Sequence, residues 1–253
     1  MNKKTAKKYL HNKTMDRLKR TGVLYLFFKE SYSSISYSYK LVIKLFKKLK
    51  YLRMSIDDSK ENWRKELIEN SNYGYTNWRK PDHVKLEDLS FIKNYLKSKS
   101  IEFNSILDIG SYDGYFTEHY IQFKNIYCAD LFKESGDLIK RKYGENIEFV
   151  LLNGFNLKDI PDNSIDLIFS MDSLNRAPRK SIINYFREFN RVIRNKGELF
   201  IHIPSCYHRI SILKGFTFIS PNRLIKELNG FENITLNYDV SAYGPIVQAR
   251  KSE

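Results

Sequence analysis

Residues 104–116 read Asn-Ser-Ile-Leu-Asp-Ile-Gly-Ser-Tyr-Asp-Gly-Tyr-Phe, and this stretch decides the fold of the 253-residue chain. Its first part, residues 105–109, is a short apolar run that predicts a buried strand. A glycine-containing turn follows, and residues 116–123 are predicted to form a helix. A strand, a tight turn and a helix N-terminus form a nucleotide-type pocket, because glycine lets a ligand approach the backbone and the helix offers free N–H groups.

The spacing of the glycines indicates which ligand fits this turn. A dinucleotide site requires Gly-x-Gly-x-x-Gly. Counted from Gly110, the second and third glycine positions hold Tyr112 and Tyr115, whose side chains would block the approach of a pyrophosphate. The turn instead has a wider spacing and an acid within it, formed by Asp108, Gly110, Asp113 and Gly114.

These residues resemble the first motif of the class I S-adenosylmethionine-dependent methyltransferases, in which the turn wraps the methionine half of the cofactor. Asp130 strengthens the resemblance, because it follows a predicted strand at 126–129 and lies 20 residues after Gly110. A carboxylate at that place can accept two ribose hydroxyls at once. A second match is the run from Ile160 to Ser170, in which Pro-Asp-Asn-Ser forms a turn before the fourth predicted strand.

The resemblance implies an α/β, Rossmann-like fold. It consists of a mostly parallel seven-stranded sheet with an antiparallel last strand and helices on both faces. The alternation of predicted strands and helices agrees with that fold. A helix at 181–194 is predicted to end at residues 195–197, with Gly197 as its left-handed cap. Further strands are predicted at 147–151, 198–203, 231–238 and 245–250.

The resemblance also implies that the cofactor is held at the carboxyl ends of the first four strands. The family often places an acid after the third strand, where it reads the adenine amino group. This chain has Asn153 there, whose side chain supplies an acceptor, and Phe155 is expected to lie against the ring. The complete expected set is Asp108, Gly110, Ser111, Asp113, Gly114, Asp130, Leu131, Asn153, Gly154, Phe155, Ser170 and Met171.

A hydroxyl acceptor loses a proton during methyl transfer, so a positioned base accelerates the reaction by about 10²–10⁴-fold. Relatives that modify sugars carry a histidine at the position of Asn175 or Arg176, and this chain has none there. We predict His208, in the loop after the fifth strand, and Asp172, after the fourth, as the catalytic residues. His202 is a further candidate base, but it lies inside the fifth strand, and the alternative is a packed or hydrogen-bonded core histidine.

Positive charge is concentrated near the start of the sequence. Of the net charge of +14, +13 lies in residues 1–56, which contain fifteen Lys or Arg residues and two acidic residues. Such a distribution predicts an anionic partner, either lipid headgroups or nucleic acid. We therefore divide the chain into a basic helical extension over residues 1–69 and a methyltransferase domain over residues 70–253.

Residues 40–52 have the pattern of a basic amphipathic helix. Within them, four leucines recur at helical spacing among five lysines. Two interpretations remain open: the helix lies on the anionic inner surface of a membrane, or it packs on its own domain or on a second subunit. An early apolar run at 23–28 is too short to cross a bilayer.

The two cysteines, Cys128 and Cys206, are far apart and form no Cys-x-x-Cys pair, which favours a reducing compartment and argues against a structural zinc site. No spacing of His, Asp and Glu suits another metal. We therefore expect a cytoplasmic protein without a metal site. In the membrane interpretation of residues 40–52, it contacts the inner membrane face peripherally.

The resemblance covers about residues 105–203, and its details around residues 153–174 are most similar to bacterial methyltransferases of sugar and surface-polysaccharide synthesis. It predicts methyl transfer from S-adenosylmethionine to a hydroxyl of a sugar or lipid-linked glycan. One alternative is an RNA or protein methyltransferase whose basic extension binds phosphates. Another is a non-catalytic relative that keeps the fold without turnover, which the missing acid near 153 and the missing histidine near 175 favour.

Overall fold

The computed structural model describes Glu61 and residues 86–204, 217, 219–240 and 244–253 of the chain. The described strands are β1 (Ser105–Ile109), β2 (Asn125–Asp130), β3 (Ile147–Leu151), β4 (Ile165–Ser170), β5 (Ile193–His202), β6 (Phe231–Asn237) and β7 (Ile246–Lys251). The described α-helices are α1 (Leu86–Glu102), α2 (Lys133–Tyr143), α3 (Arg179–Val192) and α4 (Pro221–Glu227).

The described strands form one seven-stranded sheet in the order β3-β2-β1-β4-β5-β7-β6. Strands β1 to β5 are parallel, and β7 runs antiparallel to both of its neighbours, β5 and β6. The predicted fold class is therefore confirmed. Strands β1 and β4 are buried along their whole lengths, because a parallel strand with helices on both faces has no solvated side.

Helices cover both faces of the sheet. On one face α3 and α4 contribute Phe186 and Leu224 to the core. On the other face α1 and α2 contribute Leu96 and Ile139. Burying a large apolar side chain stabilises the fold by about 1.5–3 kcal/mol, so both layers hold the sheet in place.

The segment after the glycine turn differs from the prediction. Residues 116–123 are predicted to form a helix, but only Thr117–His119 forms a short 3-10 helix, and turns follow it. The 3-10 geometry places residues i and i+3 on the same side. Thr117 and Tyr120 are accordingly both fully buried, with their hydroxyls 2.9 Å apart. We attribute the tighter winding to the burial of these two side chains.

The end of α3 also differs from the prediction. Residues 195–197 are predicted to cap the helix, but α3 ends at Val192 and β5 begins at the next residue. Lys196, not Gly197, has the left-handed conformation, with a φ of 65°. Gly197 is needed for a different reason, because a Cβ there would lie 2.8 Å from the backbone oxygen of Asp166.

The predicted basic extension over 1–69 and the amphipathic helix at 40–52 lie outside the described residues, apart from Glu61. The longest α-helix in the described part of the chain is α1, with 17 residues. None of the helices in that part combines the length and the apolar character that a membrane crossing requires. The division of the chain at residues 69 and 70 stays a prediction.

We expect Gly197→Ala to lower the free energy of unfolding by about 1–3 kcal/mol, the range for overpacking a tight interior site. The added Cβ would meet the backbone oxygens of Asp166 and Arg194 at 2.8 and 2.9 Å, and backbone atoms cannot move away as a flexible side chain can. Urea unfolding followed by circular dichroism measures the change. Lys196→Gly is the matched control. Glycine adopts the left-handed φ of residue 196 without strain, so the free energy of unfolding should stay the same or rise. If Lys196→Gly were the more destabilising variant, the packing explanation would be wrong.

Candidate active site at the switch point of the sheet

The strand order reverses between β1 and β4, because β2 and β3 extend the sheet on one side and β5 extends it on the other. In open α/β sheets, ligands bind outside the carboxyl ends of the strands at such a switch point. The turn after β1, Asp130 at the end of β2 and Ser170 at the end of β4 meet at this edge. Sequence prediction placed cofactor residues in all three, and the structure brings them together.

The N–H groups of the turn are occupied by protein acceptors. Those of Gly110 and Ser111 both donate to the carbonyl of Ala129, at 2.7 and 3.2 Å. The Tyr112 N–H donates to the Asp130 carboxylate at 2.9 Å. Because only a short 3-10 helix follows the turn, the prediction of an α-helix N-terminus there is wrong, whereas the offer of free N–H groups to the ligand stays a prediction. The turn is fastened to β2.

The two glycines of the turn are also needed for packing within the protein. Gly110 and Gly114 have φ values of 78° and 74°, in the left-handed region that favours glycine. A Cβ on Gly110 would lie 2.1 Å from the Cβ of Ser173, in the loop after β4. A Cβ on Gly114 would lie 2.8 Å from the ring of Tyr143 in α2, whose hydroxyl donates to the Gly114 carbonyl at 2.7 Å. Close approach of the protein's own side chains is thus one reason for both glycines.

Two serines join the end of β4 to the end of β1. The hydroxyls of Ser170 and Ser173 both donate to the carbonyl of Ile109, at 2.9 and 2.7 Å, and their oxygens lie 2.7 Å apart. Ser170 is fully buried, and Met171 after it is 5% exposed. These bonds use both lone pairs of the Ile109 carbonyl, so the two strand ends are held in a fixed relation.

Asp108 lies beneath the turn, among buried side chains. Its carboxylate accepts a 2.5 Å hydrogen bond from the Tyr120 hydroxyl, which also lies 3.5 Å from the sulfur of Cys128. Burial raises the pKa of Asp108 to about 7, the Tyr120 hydrogen bond lowers this pKa, and the negative charge of Asp130 raises it further. Burial also raises the pKa of the Cys128 thiol to about 12. Asp108 is part of this buried polar cluster, and its role toward the cofactor stays a prediction.

Asp130 ends β2 and is 7% exposed. Its Oδ2 accepts the Tyr112 N–H at 2.9 Å, and its Oδ1 accepts the Phe132 N–H at 3.3 Å. Burial raises the pKa of Asp130 to about 6, although these backbone N–H groups lower it. Each carboxylate oxygen has two lone pairs. The geometry is therefore compatible with the predicted acceptance of two ribose hydroxyls.

Asn153 and Asp113 use their side chains in local turns. Asn153 Oδ1 accepts the N–H groups of Phe155 and Asn156, at 2.8 and 2.9 Å, so both of its lone pairs are used. Asp113 Oδ1 accepts the Tyr115 N–H at 3.1 Å. The acceptor that the sequence offers to adenine is thus already engaged with the backbone. Phe155 is 40% exposed and accessible to a ring.

The positions of the other predicted site residues say less about their roles. Leu131 is half-buried and packs against the core next to β2. Gly154 is buried with a φ of 80°. His208, a predicted catalytic residue, lies outside the described residues. Within the described ranges, no three His, Cys, Asp or Glu side chains are grouped so that they could hold a metal ion.

Asp172, the other predicted catalytic residue, lies next to His202, for which the sequence left a catalytic and a structural role open. Its Oδ1 is 2.7 Å from Nδ1 of His202, the last residue of β5. The His202 side chain is fully buried, whereas that of Asp172 is 23% exposed. Asp172 has a φ of 57°, a left-handed conformation that Asp tolerates better than most residues. The pair stands at the carboxyl ends of β4 and β5, next to the switch point.

Further buried polar atoms lie at Asn175, after β4, and at Thr217, between β5 and α4. Asn175 is 4% exposed and Thr217 is 2% exposed, and the Thr217 N–H donates to the Asn175 carbonyl at 2.8 Å. Asn175 Oδ1 and Thr217 Oγ1 have no hydrogen-bond partner within the described part of the chain. Because buried polar groups normally have a partner, these two atoms indicate a place where a polar ligand can bind.

Sequence reasoning did not identify Tyr120, Ser173 or Tyr143 as residues of this region. Tyr120 carried a weak signal, since it lies three residues from Thr117 and a polar pair at that spacing fits a 3-10 turn. Ser173 lies three residues after Ser170 and had no signal that separates it from an ordinary loop serine. Tyr143 lies 29 residues from Gly114, and only the packing of α2 brings them together.

Residues 107–201 match the family model described as a methyltransferase domain. The match runs from β1 into β5 and includes the turn after β1, Asp130 and Asp172. No curated protein matches the chain.

Solved methyltransferase structures have a similar fold. The 1,6-didemethyltoxoflavin-N1-methyltransferase of Burkholderia thailandensis, solved with 1,6-didemethyltoxoflavin and S-adenosylhomocysteine, is 13% identical, with a TM-score of 0.56 over 79% of this chain and 92% of that chain. A SAM-dependent methyltransferase from Archaeoglobus fulgidus is 15% identical, with a TM-score of 0.51 over 64% of this chain and 94% of that chain. The trans-methyltransferase CalH, solved with SAH, is 16% identical, with a TM-score of 0.51 over 63% of this chain. The chain spans 55% of CalH's length. At these identities the likeness shows the fold.

We expect Asp108→Asn to reduce the pH dependence of stability. A carboxyl group whose pKa rises from 3.8 to about 7 on folding keeps its proton in the folded state while the unfolded chain loses it. The free energy of unfolding of the wild type therefore falls as the pH rises from about 4 to about 7, by up to about 4 kcal/mol. Urea unfolding at about pH 5 and about pH 8 measures this fall, which should be smaller in Asp108→Asn.

Tyr120→Phe serves as the control for this experiment. It removes the hydrogen bond that lowers the pKa of Asp108, so the fall in the free energy of unfolding should extend to higher pH. Superimposable pH profiles for Asp108→Asn and the wild type would contradict the assignment.

Proposed function

We propose that this methyltransferase, which uses S-adenosylmethionine as its methyl donor, passes the methyl group to a hydroxyl of a sugar or lipid-linked glycan. The observation that carries the proposal is the Asp130 carboxylate, which is buried at the switch point of the sheet and tied to the turn after β1. The bound cofactor supplies a methyl carbon that its sulfonium has already activated. The protein must therefore hold and align the reactants.

Asp130 is proposed to hold the cofactor by accepting the two hydroxyls of its ribose. Asp108 lies nearby, and the charges of the two carboxyl groups interact, which contributes to the raised pKa of Asp108. A positively charged ligand stabilises the ionised forms of such groups, so the site suits a sulfonium better than an anion. Holding an acceptor in line with the methyl carbon can supply roughly 7–11 kcal/mol of the barrier.

Asp172 is proposed to receive the proton of the acceptor hydroxyl. It is two residues beyond β4 and partly exposed, and it precedes Ser173, whose hydroxyl donates to the Ile109 carbonyl just before the turn after β1. A carboxylate that accepts a hydrogen bond from the hydroxyl orients it and withdraws its proton as the bond to carbon forms. Such general-base assistance contributes about 10²–10⁴-fold. His208 remains a second candidate for this role.

The buried polar atoms near the site support an acceptor with several hydroxyls. A buried hydrogen-bond acceptor atom without a partner destabilises the folded protein by about 1–3 kcal/mol. Asn175 Oδ1 and Thr217 Oγ1 have no partner within the described part of the chain, so a ligand that donates hydrogen bonds to them would be stabilised. Sugars present several hydroxyl donors at fixed spacings, which suits this arrangement.

The distribution of charge supports an acceptor at an anionic surface. Residues 1–56 carry +13 of the net charge of +14. Each basic residue near an anionic membrane surface contributes about 1 kcal/mol of attraction. A peripheral position on the inner membrane face would bring the site to lipid-linked acceptors. The phosphates of RNA would attract the same residues, so an RNA acceptor is the alternative.

A labelled-methyl experiment tests the proposed function. The full-length protein and S-adenosyl-[methyl-³H]methionine are added to a cell extract, which is then separated into lipid, glycan, RNA and protein fractions. We expect label in the glycan and lipid fractions, and its loss in Asp172→Asn. Label in RNA or protein instead would overturn the acceptor assignment. Absence of label in every fraction would favour the non-catalytic alternative.

We expect Asp130→Ala to weaken the binding of S-adenosylmethionine by about 100-fold or more. Two hydrogen bonds to a charged group are lost, each worth about 1.5–3 kcal/mol. Isothermal titration calorimetry measures the dissociation constant. Asp137→Ala is the matched control, because Asp137 is an exposed aspartate of α2 whose loss should leave binding unchanged. Thermal unfolding of both variants checks that the fold persists, and unchanged binding in a folded Asp130→Ala protein would refute the ribose assignment.

A further inference from the structure

The parallel pairing of β4 and β5 brings the end of β4 close to His202. Ser170 pairs with Ile201 at the end of this register, so Met171 follows opposite His202 and Asp172 lies one residue further along. Along β5, Ile201 packs into the core on the α3 face and Phe200 into the core on the α1 face. Successive residues of a strand alternate between faces, so His202 shares the α1 face with Phe200. The contact with His202 is made where the chain turns out of β4 at Asp172, which has a left-handed φ of 57°.

The side chains of His202 and Asp172 differ in their exposure to solvent. The His202 side chain is fully buried, whereas the Asp172 side chain is 23% exposed. A group that takes the proton of the methyl acceptor must be accessible to that molecule. Asp172 meets this requirement, and His202 lies behind it. The order from the crevice inward is therefore carboxylate first and imidazole second.

The contact is close but is not an aligned hydrogen bond. Nδ1 of His202 and Oδ1 of Asp172 are 2.7 Å apart, yet neither ring nitrogen of His202 makes a hydrogen bond of good geometry to any residue that the structure describes. A buried imidazole without such a bond costs free energy, and a small rotation of either side chain would align the N–H with the carboxylate. Catalytic hydrogen bonds often tighten in this way when reactants bind.

We propose that His202 is a positioning residue that holds the Asp172 carboxylate toward the acceptor by donating its Nδ1–H to Oδ1. This inference rests on the proposed function, because Asp172 is there the group that receives the proton. His202 donates a hydrogen bond and takes no proton from the acceptor. Fixing one carboxylate oxygen leaves the other in a single orientation at the carboxyl end of β4. At metal sites, hydrogen bonds that orient a ligating side chain contribute about 10–100-fold to affinity or activity, and we expect a contribution of this size from His202.

Two substitutions at residue 202 separate positioning from proton transfer. In His202→Asn, the side-chain N–H of asparagine stands close to the place of Nδ1–H and can still donate to Asp172, but it cannot take up a proton. In His202→Leu, the donor is lost. Positioning predicts that kcat falls about 10–100-fold in His202→Leu and stays within about 5-fold of the wild type in His202→Asn. The pH–rate profile of His202→Asn should keep the shape of the wild-type profile.

The rate is measured as transfer from S-adenosyl-[methyl-³H]methionine to whichever fraction of the cell extract takes the label. Calorimetry with S-adenosylmethionine and thermal unfolding check that both variants bind the cofactor and remain folded. If His202→Asn is as slow as His202→Leu, or loses one limb of its pH–rate profile, His202 takes part in proton transfer and the positioning proposal is overturned. Wild-type rates in both variants would overturn it as well.

A measurement that needs no acceptor tests the same contact. ¹⁵N NMR of the histidines in the full-length protein with S-adenosylhomocysteine shows which ring nitrogen of His202 carries hydrogen. The signal is assigned as the one missing in His202→Asn among the five histidines. We expect a hydrogen on Nδ1 in the wild type, and loss of this preference in Asp172→Gly, since glycine suits the φ of 57° and removes the acceptor.

The two measurements distinguish the possible failures. The positioning proposal would be overturned, even if methyl transfer occurs, by either of two results. One is that Nδ1 of His202 carries no hydrogen in the wild type, and the other is that the spectrum is unchanged in Asp172→Gly. A protein that binds no cofactor and labels no fraction would overturn the proposed function. In that case the spectrum still decides whether His202 holds Asp172.

Discussion

The hydrogen bond from the Tyr112 N–H to the Asp130 carboxylate fixes the turn after β1 against the end of β2. Gly110 and Ser111 add two further bonds to the carbonyl of Ala129, so one neighbouring strand holds the whole turn. The crevice is therefore built before any ligand binds, which reduces the ordering that binding would require. The same burial raises the pKa of Asp130 to about 6, because the ionised carboxylate is destabilised there. A positively charged ligand would stabilise that ionised form.

The centre of the sheet could be predicted from the sequence because β1 and β4 are buried on both faces. Such strands are short apolar runs bounded by turn residues, and β1 and β4 stand where these runs predicted them. Asp130 was also predictable, since a strand, a turn and a return to the next parallel strand need a nearly constant length of chain. These features depend on local sequence alone, and the structure reproduces them.

Features that depend on packing could not be predicted. Asp172 and His202 are separated by 30 residues and meet only because β4 pairs with β5 and the chain turns at Asp172. The sequence predicts that a glycine after a helix caps it. Gly197 instead has no side chain because a Cβ there would contact the backbone oxygen of Asp166. The segment around Tyr120 had enough apolar residues for an α-helix, and the burial of its hydroxyl against Asp108 favoured a tighter turn. In each case a distant partner decided the conformation.

Strand β7 lies between β5 and β6, although it follows β6 in the chain. Within the described sheet, β6 touches only β7, so β6 has nothing to pair with until β7 has formed. Strand β7 can pair with β5 by itself, but β6 can join the sheet only together with β7 or after it. Because Ile246 of β7 pairs with His202, the strand that carries His202 gains its second neighbour only when β7, which follows it in the chain, has been made. A nascent chain that lacks this hairpin would expose the edge of β5, where strands from other chains can add.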